Sequence, residues 1–363
     1  MNTIEHNIFI VPIEPLEARY SRQWFESIPT QICMRGDIDG STVRTFAGEE
    51  STPEPSLGGF LDFATTNSYK ASQIREISHF FVNNYVKPGD VFLVTDAWNP
   101  VITALRYTSD LLGIPVEIHG IWHAGAYDPT DILGMKMQKP WPWHQERAYF
   151  HACDYNYFAT NFHANMFKTN LEIPEEFHHK IIVCGQPHEK LVTDIVQHIT
   201  YNTVPRHQIV FPHRINADKQ PQIAEDLEHE MTNINWYFTQ KQVPVPNKHN
   251  FYDSLALSKI MFSCSLHENL GISMMEGCLF DCIPVLPNRA SYAEMYLPEF
   301  LYPSEWTSSW ENYLIHRQDL IRFINHRVEL YEDYLPLLEQ QKTILKDKYL
   351  NANVMYDKLL KRS

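Results

Sequence analysis

Apolar and polar positions alternate in a punctuated pattern along the first half of the chain. NIFIVPI (7–13), DVFLVTD (90–96), PVEIHGI (115–121), YNYFAT (155–160) and KIIVCG (180–185) are short runs bounded by Gly, Pro, Asp or Asn, the signature of buried strands. Between them, 68–85, 100–112 and 161–170 carry apolar residues at helical spacing, with Ser68 placed to cap the first. After a polar stretch at 200–206 the pattern restarts. QIVFPH (208–213), INWYFT (234–239), KIMFSC (259–264) and CIPVLP (282–287) read as strands, with helices over 219–231, 250–258, 271–280 and 290–297 in the gaps. Beyond 304 the chain reads as mostly helical. Strand–helix alternation predicts parallel βαβ units, and its restart predicts two of them. The expected class is α/β: two Rossmann-like, doubly wound parallel-sheet domains facing a cleft, at 1–200 and 201–330, with C-terminal helices over 331–363.

Length and composition agree with this division. A chain of 363 residues with 44% hydrophobic and 13% aromatic residues has material for more than one core and is not of disordered composition. The formal charge of -14 weakens a nucleic-acid reading without removing it, because a local basic cleft is lost in a sum. Six scattered cysteines, the closest pair spaced C-x3-C, read as buried thiols in a reducing compartment. The eighteen histidines fall in no HExxH or C-x2-C…H-x3-H frame, so no metal site is expected. MNTIEHNIFIVPIEP lacks the basic and apolar regions of a signal peptide, and no apolar run approaches the roughly 20 residues of a membrane span. The expectation is a soluble, cytoplasmic protein.

The chemistry-bearing stretch is SLHENLGISMMEG (265–277), a loop and helix start following the strand KIMFSC. The amides of Asn269, Leu270 and Gly271 would point at a phosphate or sugar hydroxyl. Glu268 can accept hydrogen bonds from sugar hydroxyls, and Glu276, eight positions on, can take the paired hydroxyls of a ribose. The plain alternative makes Glu268 a complement to the helix dipole and Glu276 a solvent-facing residue. A second stretch, FPHRINADKQP (211–221), sets Arg214 and Lys219 around a helix start. A guanidinium and an ammonium there suit a diphosphate and would stabilise its charge as it departs; alternatively both lie on the surface with Asp218 as a cap.

R-x4-K followed by E-x7-E resembles the donor half of the retaining, nucleotide-sugar-dependent glycosyltransferases of the GT-B fold. The resemblance covers roughly 205–305 well and the first half loosely. PHRINADKQP, HENLGISMMEG, CIPVLPNRASYAEMY and PEFLY are most similar to the group that mannosylates queuosine in transfer RNA. It implies that 201–330 binds a UDP- or GDP-sugar and that 1–200 is the acceptor-side domain. Arg214 and Lys219 would then hold the diphosphate, Glu268 the transferred sugar and Glu276 the ribose, with neither metal nor cofactor. His119, in GIPVEIHG, or His123, in IWHAG, would face the donor sugar. Tyr292 and Glu294 match a motif without a derived role. Two departures stand out. VPIEPLEARYS lacks the glycine-rich loop of many relatives, which LGGF (57–60) would either replace or leave as a plain turn, and Asp281 occupies the place of a usual glycine.

For the acceptor, the resemblance implies a modified nucleobase bearing a hydroxyl. Because the first half does not match the transfer-RNA enzymes, the leading expectation is a hydroxymethylated pyrimidine in DNA, the reaction type of bacteriophage DNA glycosyltransferases, with the base flipped out of the duplex. MKMQKPWPWHQERAYFH (135–151) interleaves Lys136, Lys139 and Arg147 with Trp141, Trp143 and Tyr149, types that grip phosphates and bases; a packed aromatic loop fits equally. The alternatives are transfer-RNA, saccharide or lipid acceptors, with LEARYSRQWFESI as a candidate membrane-surface helix, or a non-catalytic α/β binding protein.

Overall fold

The computed structural model describes residues 6–16, 19–49, 62–199, 206–244 and 247–361. LGGF at 57–60, and most of the polar stretch at 200–206, lie outside them. The chain forms two compact units, one of Met1–His188 with Asn351–Ser363 and one of Glu189–Leu350. The sequence pattern sets its boundaries near 200 and 330; the fold instead returns the last helix, Asn353–Leu359, to the first unit.

Among the described residues the first unit holds six strands, β1 Ile8–Val11, β2 Val43–Thr45, β3 Val91–Val94, β4 Glu117–Ile121, β5 Tyr155–Phe158 and β6 Ile181–Val183. They pair in parallel in the order β2-β1-β3-β4-β5-β6. Every residue of β1 and β3 is buried, which explains why these strands read as unbroken apolar runs: helices cover both faces of a parallel sheet. One covering helix, Tyr20–Gly36, presents Trp24, Ile28 and Ile32 to β1 and β3, alongside Tyr356 and Leu359 of the last helix. The apolar side of the segment that read as a membrane-surface candidate therefore lies in a core.

The second unit repeats the design, among its described residues, with five strands, β7 Gln208–Phe211, β8 Asn235–Phe238, β9 Ser258–Phe262, β10 Ile283–Pro287 and β11 Leu301–Tyr302. Their order is β11-β10-β9-β7-β8, again all parallel. Each sheet has one point where strand order reverses, at β1/β3 and at β7/β9. In open α/β sheets the crevice beyond the carboxyl ends at that point receives ligands. Among the described residues, no helix is long and apolar enough to cross a membrane.

Candidate functional site

The loops leaving β7 and β9 hold the second unit's polar constellation. After β7 come His213 and Arg214, a single turn Ala217–Lys219, and the helix Pro221–Glu230. Between turn and helix, Gln220 takes a left-handed conformation (φ 48°), and its amide donates to the carbonyls of Cys264 at 2.6 Å and Thr307 at 2.7 Å. That knot fixes Lys219, whose side chain is 9% exposed. Its ammonium donates to the His267 carbonyl at 2.7 Å and to Ser265 Oγ at 2.9 Å, and meets Asp218 Oδ2 at 3.2 Å and Glu268 Oε2 at 3.3 Å. The other Glu268 oxygen accepts from the Gly271 amide at 3.1 Å.

The electrostatics follow from these contacts. Burial alone would raise the Glu268 carboxyl, but Lys219, with His213 and His267, outweighs it and holds the group below its usual range. Burial likewise opposes the Lys219 ammonium, and Glu268 and Asp218 reverse the direction and raise it. His213 is pushed down to about 3, chiefly by burial and then by Lys219 and Arg214. Its ring therefore stays neutral, with Nε2 2.7 Å from Ser263 Oγ.

Gly271 and Tyr292 explain each other. Gly271 has φ +72°, and a Cβ there would stand 2.9 Å from Tyr292 Cε1 and 3.2 Å from Glu268 Cγ. Tyr292 is buried beneath this loop with its hydroxyl 3.4 Å from Ser263 Oγ, and the neighbouring Ser291 amide donates to the Glu268 carbonyl at 3.3 Å. The tyrosine of the Tyr292-x-Glu294 motif is thus the floor under Glu268, while the Glu294 carbonyl accepts from the Tyr349 hydroxyl at 3.3 Å.

Glu276 lies on the helix Ile272–Leu279 and is only 3% exposed, so the solvent-facing alternative does not hold. Its Oε1 takes the Lys248 ammonium and the Tyr252 hydroxyl at 3.4 Å. Both partners come from the helix Lys248–Ala256 and belong to no motif in the sequence. Asp281 has φ 65°, the left-handed region a glycine would take without cost. Its carboxylate is anchored by Lys342 and by Arg206 at 3.6 Å, which offsets the strain.

In the first unit the two candidate histidines part company. His119 is inside β4, fully buried, with Nδ1 2.7 Å from the Tyr157 hydroxyl and Nε2 2.9 Å from Glu117 Oε1. His123 lies beyond the carboxyl end of β4. Its Nε2 donates to the Thr95 carbonyl at 2.7 Å, which leaves Nδ1 to accept from Tyr20 at 3.2 Å. Burial lowers His123, against the pull of Asp96, itself paired with Lys70 at 2.8 Å.

The 135–151 stretch divides in two. Lys139 stands just before the helix Pro140–Ala152, from which Trp141 is 53% and Trp143 44% exposed; Lys136 sits over the Phe63 ring at 5.2 Å. Arg147 turns instead to the Leu171 carbonyl at 2.7 Å and Glu172 at 3.2 Å, and Tyr149 is in the core.

No protein-family model matches the chain. The sequence is 26% identical over 162 residues to the tRNA-queuosine alpha-mannosyltransferase of Drosophila melanogaster, a match that covers 41% of this chain and 41% of that one. The match thus spans less than half the length of that curated relative. Sucrose-phosphate synthase from Thermosynechococcus elongatus superposes with a TM-score of 0.62 at 10% identity, over 99% of this chain and 100% of the other. The pneumococcal O-GlcNAc transferase GtfA in complex with UDP and GlcNAc does so with a TM-score of 0.51 at 11% identity, over 80% of this chain and 60% of the other. The likeness is one of fold: the chain has the GT-B fold, two α/β units each built on a parallel sheet.

Proposed function

We propose that this protein is a retaining glycosyltransferase that moves a sugar from a nucleoside-diphosphate sugar to a hydroxyl on a modified base of a nucleic acid. The observation that carries the donor half is the Lys219–Glu268 pair, held at 3.3 Å where strand order reverses. Cation and carboxylate stand side by side there, as a diphosphate joined to a sugar requires. Arg214 and Lys219 receive the diphosphate and stabilise charge as it leaves, each well-placed donor contributing about 3 kcal/mol by analogy with oxyanion holes. Glu268 accepts from hydroxyls of the transferred sugar. Glu276 takes the ribose through Oε2, since Lys248 and Tyr252 both contact Oε1. Of the two histidines we assign His123 the sugar-facing role, because it is partly exposed beyond the carboxyl end of β4, whereas His119 is fully buried inside that strand.

For the acceptor, the match to an enzyme named for a modified transfer-RNA base supports a nucleobase, and Lys139 with exposed Trp141 and Trp143 supplies a charge and stacking faces. A hydroxymethylated pyrimidine in DNA is the first reading and transfer RNA the second. The test incubates the protein with UDP- and GDP-sugars and either hydroxymethylcytosine DNA or a mixed transfer-RNA pool, then weighs the digested nucleosides. A sugar-sized mass gain on the DNA, α-linked from an α-donor and lost in Glu268→Ala and Arg214→Ala, supports the first reading; a gain on transfer RNA moves it to the second. Donor hydrolysis without either gain refutes the nucleic-acid acceptor and leaves the transferase chemistry standing.

A further inference from the structure

We propose a divalent transition-metal site in the second unit, formed by His198, His249 and Asp253 and matched to Zn2+. His198 ends the helix Glu189–His198, while His249 and Asp253 lie one turn apart on Lys248–Ala256. One donor atom from each falls within 4.8 Å of the others. Asp253 bridges the two imidazoles, with Oδ1 3.0 Å from His198 Nε2 and Oδ2 3.2 Å from His249 Nδ1.

Two imidazoles and a carboxylate are the ligands of three-residue zinc sites that keep a fourth position for water. Calcium and magnesium prefer oxygen alone, so this set selects a borderline ion. Donors about 2.1 Å from a tetrahedral zinc stand about 3.4 Å apart. Asp253 reaches the two rings through different oxygens, at 3.0 and 3.2 Å, so binding through one oxygen draws together three donors that now lie within 4.8 Å, by rotation of the exposed Asp253 and His249 side chains.

The three side chains divide the work. His198 is 16% exposed and wedged against the rings of Tyr252 at 5.3 Å and Phe280 at 5.8 Å, which fix its direction. His249 and Asp253 are exposed and free to adjust to it. On binding, the proton that faces Asp253 on His198 Nε2 and on His249 Nδ1 is given up to solvent, each ring ends neutral and protonated on the nitrogen away from the ion, and coordination bonds replace the two hydrogen bonds. The ion would then cross-link the two helices. The ligands are 55 positions apart in sequence, which is why no motif frame shows them. This site stands independently of the proposed donor chemistry.

The test uses the full chain without an affinity tag. Zn2+ is titrated in competition with a chromophoric chelator, and Co2+ is added to read coordination from its visible bands. The proposal expects one ion per chain, tetrahedral Co2+ absorption and a thermal midpoint that rises with Zn2+. His198→Ala and Asp253→Asn should each weaken binding at least about tenfold and abolish the Co2+ bands, while the surface controls His229→Ala and His326→Ala change neither. Asp253→Asn, exposed and isosteric, keeps the test valid if His198→Ala unfolds. Absence of stoichiometric binding overturns the proposal, and so does binding that persists in both ligand variants, which would mean adventitious uptake by other histidines.

Discussion

Replacing Lys219 by Met and Glu268 by Gln, singly and together, measures how much of the second unit's stability their pair carries. At 3.3 Å, an effective dielectric near 20 gives an attraction of about 5 kcal/mol. Side-chain exposures of 9% and 20% mean that desolvation cancels much of it. Asp218 at 3.2 Å shares the ammonium, so Glu268→Gln leaves Lys219 paired and costs about 1–2 kcal/mol. Lys219→Met strands two acids and costs about 3–4 kcal/mol. The double variant should cost less than the sum by about 1–2 kcal/mol. Hydrogen exchange of peptides spanning β7 and β9 reads this unit's opening separately from the other. Glu268 is depressed, so its contribution is present above the ordinary carboxyl range and lost as pH falls through its folded value. Lys219 is raised, so its contribution holds below its ordinary value and fades only above the folded one. The coupling should thus be constant from about pH 6 to 9. A coupling below about 0.5 kcal/mol, or Lys219→Met no worse than Glu268→Gln, would refute the reasoning.

Gly271→Ala places a Cβ at φ +72° and 2.9 Å from Tyr292; urea unfolding should show a loss of about 2–3 kcal/mol. At Asp281, φ 65°, Asp281→Ala loses the Lys342 contact and keeps the strain, whereas Asp281→Gly relieves it; the glycine variant should be the more stable by about 1 kcal/mol in the same assay. His213, lowered from 6.5 to about 3, makes the unfolded chain bind the extra proton. Its contribution is fully present above 6.5 and falls with pH toward 3, by up to about 1.4 kcal/mol per unit. Stability followed from pH 7 to 4 should fall less steeply in His213→Asn than in the parent.

The strands at the first sheet's reversal point were legible because a parallel strand buried on both faces must be an apolar run, as β1 and β3 are. The edge strands β2 and β11, three and two residues long, carry too few positions to show any period. The helix Tyr20–Gly36 was legible in its first half, as the candidate surface helix LEARYSRQWFESI, but not to its end or in its burial, because Pro29 reads as a stop and the stripe of Trp24, Ile28 and Ile32 is narrow among polar residues. Arg214, Lys219, Glu268 and Glu276 stood out in the sequence because they fall in two short local spacings, R-x4-K and E-x7-E, that resemble a known family's. Lys248 and Tyr252 could not, since they reach Glu276 through tertiary packing from 28 and 24 positions upstream. His119 and His123 looked equivalent in sequence; where β4 ends, at Ile121, separates them.

Donor binding tests the central claim most directly. Titration calorimetry of the full chain with UDP-, GDP- and ADP-sugars should find one of them bound at one site per chain, weakened about 10- to 100-fold by Arg214→Ala and by Glu276→Gln. If no nucleotide sugar binds, or if both variants bind as the parent does, the loops after β7 and β9 are not a donor site and the account falls.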